Sequence, residues 1–209
     1  LSHAKFSRAN LLLDHWGFSI WRTVFTPGSD SAFARAVETI NQWVKHECFE
    51  QSNRAHVSTA IRQHDHDAAC EVWKRYRNEI VENRVLDGAS PETVRQRFMA
   101  WIESRGMEQN QTSRYRYCIL IDKDVLETLS RLPLPPIEGR KEAWQLYSLK
   151  VIDVEIDGED DDEYPHGYRS CIMTPPWMLA HIYFFCHNVE AEKMRDELEG
   201  IPVYVFADL

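Results

Sequence analysis

The stretch WGFSIWRTVFTPGSDSAFARAVETINQWV, which starts at Trp16, constrains the fold more than any other part of the chain. Its first ten residues are dense in aromatic and β-branched side chains, the composition of a buried strand. Thr26-Pro27-Gly28-Ser29-Asp30 then forms a turn. Ser29 or Asp30 is placed to cap a helix running to about Cys48. Within it, Phe33, Val37, Ile40 and Val44 recur at helical spacing, with Ala36 and Trp43 beside them. A strand that turns directly into an amphipathic helix commits the chain to a mixed fold, with helix lying on sheet.

The rest of the chain is read the same way. A helix is expected over 67–83, carrying Ala69, Val72, Trp73, Tyr76 and Ile80 on one side. Ser90-Pro91-Glu92 is a helix start, with a capping hydroxyl, Pro at the first position and an acid in the first turn. Val94, Phe98, Trp101 and Ile102 face inward from it, and Gly106 ends it. RYRYCILID, over 114–122, is a second strand, followed by a short helix over 124–132. Three prolines within 133–136 then break the chain. Further strands are expected over 144–156, 168–174 and 201–206, and helices from Pro175 to His187 and over 190–198. Strands and helices do not alternate one to one. The fold class is therefore α+β, an antiparallel or mixed sheet with helices packed mainly on one face. A ferredoxin-like β-α-β-β-α-β core is one specific form, with a helical insertion at about 50–106. On this reading residues 1–15 are an N-terminal extension and 16–209 a single α+β domain.

Composition narrows the classes of function. No run of about 18 apolar residues exists, so no membrane span is expected. The five cysteines are widely spaced, with no CxxC pair, which favours reduced thiols in the cytoplasm or nucleus. The net charge is −9, but eight carboxylates lie within 153–163 with no Lys or Arg among them. The other 25 acids face 24 bases. An acidic chain with a near-neutral body argues against binding nucleic acid through its phosphates. Dinucleotide, P-loop, nucleophile-elbow and HExxH motifs are all missing, and no cofactor is expected.

The pieces WGFSIWRTVFTPGSDSAF, RYCILIDKDVLETL and LKVIDVEID…YPHGY together resemble a family of uncharacterised proteins from filamentous fungi. The likeness covers about half the chain, in pieces. It implies an intracellular single-domain protein of fungal type. It carries over no catalytic residue.

Three groups of residues are candidates for function. The first is the VIDV strand with the acidic run after it. Val151, Ile152 and Val154, followed by Glu159, Asp160, Asp161, Asp162 and Glu163, are similar to SUMO-interacting motifs. In these a β-branched strand adds to a sheet edge and an acidic tail meets basic residues. This makes an interaction domain with an unknown protein partner the first expectation. A long strand ending in a solvated loop is the plain alternative. An EF-hand loop is excluded, because Gly158 follows Asp157 directly and the register fails. The apolar side of this strand also changes face between Val151 and Ile152, as at a β-bulge or in a strand buried on both sides.

The second candidate is Arg22, on one strand face with Phe18, Ile20 and Val24. A guanidinium there needs an internal ion pair, access to water or an anionic ligand. With Tyr115, Tyr117 and His181 it could line a pocket of a small cofactor-free enzyme or binding protein. The third candidate is the cluster of His46, Cys48, His64 and His66, whose donors suit zinc or copper but whose spacing matches no zinc module.

Overall fold

The computed structural model describes residues 15–50, 59–108, 112–136, 147–154 and 171–185. Strand β1 (Ser19–Arg22) is buried along its length. Phe18 and Ile20 serve one face of the sheet and Trp21 the other, as expected for a strand covered on both sides. Gly28, at φ +83°, turns the chain into α1 (Ser29–Glu50). Phe33, Ala36, Ile40, Trp43 and Val44 of α1 are buried against the sheet. Helix α2 (Thr59–Lys74) packs on α1 and leads to β2 (Glu79–Glu82), parallel to β1 with Glu79 opposite Ser19.

Ser90 caps α3 (Pro91–Ser104), its Oγ accepting from the Thr93 amide at 3.2 Å with Pro91 at the first helical position. Helix α3 crosses the opposite face of the sheet and buries Val94, Phe98 and Ile102 there. Strand β3 (Tyr117–Ile121) then lies parallel to β1 on its other side. Asp122 caps α4 (Lys123–Arg131). Strands β4 (Leu149–Asp153) and β5 (Cys171–Thr174) follow in the sheet, each antiparallel to its predecessor; the strand expected over 201–206 lies outside the described residues. A 3₁₀ turn, Pro176–Met178, leads into α5 (Leu179–Phe185).

The strand order is β2-β1-β3-β4-β5. Helices α1, α4 and α5 share one large core with a single face of the sheet, with α2 against α1. Among the described residues α3 alone covers the other face. The protein is thus an α+β fold with a mixed sheet and helices mainly on one face. The ferredoxin-like core does not form: that topology gives the first strand antiparallel neighbours, whereas β1 has a parallel neighbour on either side.

The helix expected over 67–83 also stops early, at Lys74. Trp16 takes the next residues instead. Its amide donates to the Arg75 carbonyl at 2.9 Å, and its carbonyl accepts from the Arg77 amide at 2.7 Å. Ile80 and Val81 then fall opposite Ile20 and Trp21. Pairing with β1 outweighs local helical periodicity, and the 50–106 stretch supplies an edge strand as well as helices.

Strand β4 explains the change of apolar face. Leu149 and Val151 enter the larger core, and Ile152 and Val154 enter the smaller one. The register runs unbroken from Leu120↔Lys150 to Tyr117↔Asp153. There is no bulge; the strand is buried on both sides.

Candidate functional site

Several residues singled out from sequence have structural roles. Val151 and Ile152 cannot add a partner strand, because β4 is paired with β3 on one side and β5 on the other. Val154 is 3% exposed; its amide donates to the Arg116 carbonyl and its carbonyl accepts from Arg95. Asp153 is buried and holds the Arg116 guanidinium through both oxygens at 2.9–3.2 Å. Glu159, Asp160, Asp161, Asp162 and Glu163 lie outside the described residues.

Arg22 has its counter-charges inside the chain. Its Nε donates to the Val24 carbonyl at 2.8 Å, Nη1 to Glu82 at 2.6 Å, and Nη2 to Ser29 at 2.7 Å and Asp30 at 2.5 Å. Phe25 and Phe33 lie against the guanidinium at 4.6 and 4.9 Å. Burial works against this charge, but the bonds to Asp30 and Glu82 outweigh it and raise the pKa.

Tyr117 belongs to the larger core and Tyr115 packs on the smaller one, so the sheet separates them. Tyr117 also starts β3 whereas Arg22 sits opposite Ile121 at its end, about 13 Å along the strand. His181 is half-buried on α5. These residues do not share one pocket with Arg22.

His46 and Cys48 lie two apart on α1, which turns them to different sides of the helix. His46 meets the Trp43 ring edge-on, and His66 lies 3.7 Å from Cys70 Sγ. Burial, then Glu47, pushes the Cys48 thiol up to about 12. Among the described residues no three metal-ligating side chains converge. His56 and the side chain of His64 lie outside them.

A cleft with ligand-binding character lies at the opposite end of the sheet from Arg22. A cleft of about 390 Å³ opens beside the first residues of β1 and β2, lined by His15, Lys74, Arg75, Arg77, Asn78, Glu79 and Arg114. Among the described residues the lining holds four permanent cations and one carboxylate, with Lys74 also paired to Glu71 at 2.6 Å. The sequence builds this locally. Arg75 lies in the turn that ends α2, its amide donating to the Val72 carbonyl at 3.2 Å; the chain then bridges to Trp16 at Tyr76 and enters β2 at Glu79. Tyr76 is buried, while Arg75 and Arg77 are exposed. Asn78 fixes the strand, accepting from the Phe18 amide at 2.9 Å and donating to Tyr76 Oη at 2.6 Å.

Gly17 permits the close approach. It sits at φ +134°, and a Cβ there would lie 2.8 Å from the Arg77 carbonyl carbon. The carbonyls at the end of α2, a source of partial negative charge, are taken up by donors. Trp16 Nε1 binds the Val72 carbonyl at 2.6 Å, and the Tyr76 amide binds that of Trp73 at 3.0 Å.

Arg114 forms the cleft floor. It is 5% exposed and comes from the 3₁₀ turn Ser113–Tyr115 just before β3. Its Nη1 donates to the Arg77 carbonyl at 3.0 Å and its Nη2 lies 3.3 Å from Glu79 Oε2. The other Glu79 oxygen accepts from Arg105, whose guanidinium stacks 4.2 Å over the Trp101 ring. The lining offers guanidinium and ammonium donors and one imidazole. Among the described residues it contains no Ser, Thr or Cys. Such a set binds anions.

No family model, curated protein or solved structure matches this chain. The site is read from its own chemistry. The sequence did carry a signal for it, in Lys74-Arg75-Tyr76-Arg77 and in Arg114 and Arg116. A near-neutral body charge concealed it, because the average says nothing of how the fold gathers cations at one end of the sheet.

Proposed function

We propose that the protein binds a small, multiply charged anion in the cleft beside β1 and β2. The observation that supports this is the excess of four fixed cations over one carboxylate among the described lining residues of a concave site, within a chain of net charge −9. Surface charges are ordinarily interspersed, and gathering like charges costs self-repulsion that a bound anion relieves. Arg75 and Arg77 are exposed, with Arg77 Nη1 donating to the Tyr76 carbonyl at 2.5 Å, whereas Arg114 is buried and held by the Gly17 and Arg77 carbonyls. A preorganised donor beside exposed ones suits a compact ligand.

A thermal-shift series tests the reading. Anions raise the melting temperature in a concentration-dependent way, by mass action on the folded state, and uncharged analogues do not. The Arg75→Ala/Arg77→Ala variant loses the effect. Equal shifts in wild type and variant would contradict the reading.

A further inference from the structure

Resting on that reading, we infer that the cleft takes up its anion together with a proton held on His15, so that pH regulates the affinity of the site. His15 is placed there by its neighbour. The Trp16 amide donates to the Arg75 carbonyl at 2.9 Å, the Trp16 carbonyl accepts from the Arg77 amide at 2.7 Å, and Trp16 Nε1 donates to the Val72 carbonyl at 2.6 Å. These three bonds pin the backbone next to His15 against the segment that carries Lys74, Arg75 and Arg77. His15 is exposed and lines the same cleft as they do.

Among the described residues the charged groups around His15 come from three elements. The end of α2 brings Lys74, paired with Glu71, and the turn after it brings Arg75. The run into β2 brings Arg77 and Glu79, and the 3₁₀ turn before β3 brings Arg114, 3.3 Å from Glu79. The rings of Tyr76 and Tyr183 meet Trp16, and burial raises both phenols above their ordinary range. From about pH 5.5 to 8, lysine and arginine stay charged and carboxylates stay ionised. Imidazole is the side chain of this set that changes charge across that range. Its influence needs no fixed spacing between cation heads, because a unit charge about 7 Å from a doubly charged anion changes affinity roughly fivefold even in water. An anion in the cleft favours the protonated ring, and by linkage the protonated ring favours the anion by the same factor. Affinity is highest below the imidazole range and falls as pH rises through it.

Sodium sulfate is the probe, because its charge does not change across this range. Calorimetric titration of the full chain at matched ionic strength gives roughly fivefold tighter binding at about pH 5.5 than at about pH 8. His15→Gln flattens this dependence, and His15→Lys keeps the tighter affinity throughout. His66 lies about two turns before Lys74 on α2, and His66→Gln leaves the dependence as it is. The His15 ring proton, assigned by its loss in His15→Gln, is followed against pH by NMR. Saturating sulfate moves its midpoint up by about 0.7 on the pH scale, which is the fivefold factor read from the proton. Urea midpoints confirm that each variant is folded.

A wild-type affinity that does not change with pH overturns the inference. So does a dependence that survives in His15→Gln, or a His15 midpoint that sulfate does not move. In each of these cases loss of sulfate binding in Arg75→Ala/Arg77→Ala leaves the cleft reading standing. Sulfate binding that is absent at every pH, or equal in that variant and wild type, takes down both readings.

Discussion

Asp153 and Arg116 meet at the end of the sheet that carries the cleft, each almost fully buried and joined in a bidentate pair. Two desolvated charges are tolerated because each satisfies the other; removing one strands its partner. Asp153→Ala is expected to lower the unfolding free energy by about 3–5 kcal/mol, read from urea denaturation. The Arg116→Met/Asp153→Leu double variant should lose far less than the sum of the single changes. Gly17→Ala is a second sensitive position, because both φ and the nearby Arg77 carbonyl exclude a side chain. A loss of about 1–3 kcal/mol is expected from the strained backbone. Thiols give a third readout at this scale. Burial, opposed in part by Lys150, pushes the Cys171 thiol up to about 12, and burial raises Cys118 as well. Below about pH 8.5 these thiols are protonated in folded and unfolded chains alike. Above it only the unfolded chain releases the protons, so their contribution to stability falls as pH rises toward 12. Comparing urea midpoints of wild type and Cys171→Ala from pH 7 to 10.5 or so should show a shallower decline in the variant; parallel curves would contradict it.

At the scale of elements, the sheet has two unequal covers. Three helices close the larger core with α2 behind them, while α3 closes the smaller one. Phe98 is fully buried at the centre of the smaller core, edge-on to Trp21 at 6.1 Å. Phe98→Ala should cost about 3–5 kcal/mol, with hydrogen exchange accelerating first in α3. The elements legible in sequence were β1, α1, α3, β3, α4, β4, β5 and α5, each within a stretch read as its own type. Strand β2 was not legible, because a four-residue strand after a helix carries too short a pattern, and Trp16, sixty residues away from Tyr76, fixes it. The burial of Asp153 was not legible for the same reason. Its partner is 37 residues distant in sequence, and only the pairing of β3 with β4 brings the two together. The face change at Val151 and Ile152 was visible, but deciding between bulge and two-sided burial required knowing that α3 lies opposite the other helices.

Over the whole molecule, charge is the property the fold reorganises most. A chain with net charge −9 presents, at the start of β1 and β2, a cleft whose described lining residues hold four fixed cations and one carboxylate. The Arg22 end has its cation neutralised by Asp30 and Glu82, and Lys150 there binds Asp122. No described helix is long and apolar enough to cross a membrane. The proposed anion site lies at the first of these two ends. The sharpest test is a two-dimensional amide NMR titration of the ¹⁵N-labelled chain with tripolyphosphate. The account predicts saturable shifts centred on Gly17, Arg75, Arg77, Glu79 and Arg114, with the amides of Arg22, Asp30 and Lys150 unmoved. Shifts centred on the Arg22 end, or no saturable shift at all, would contradict it.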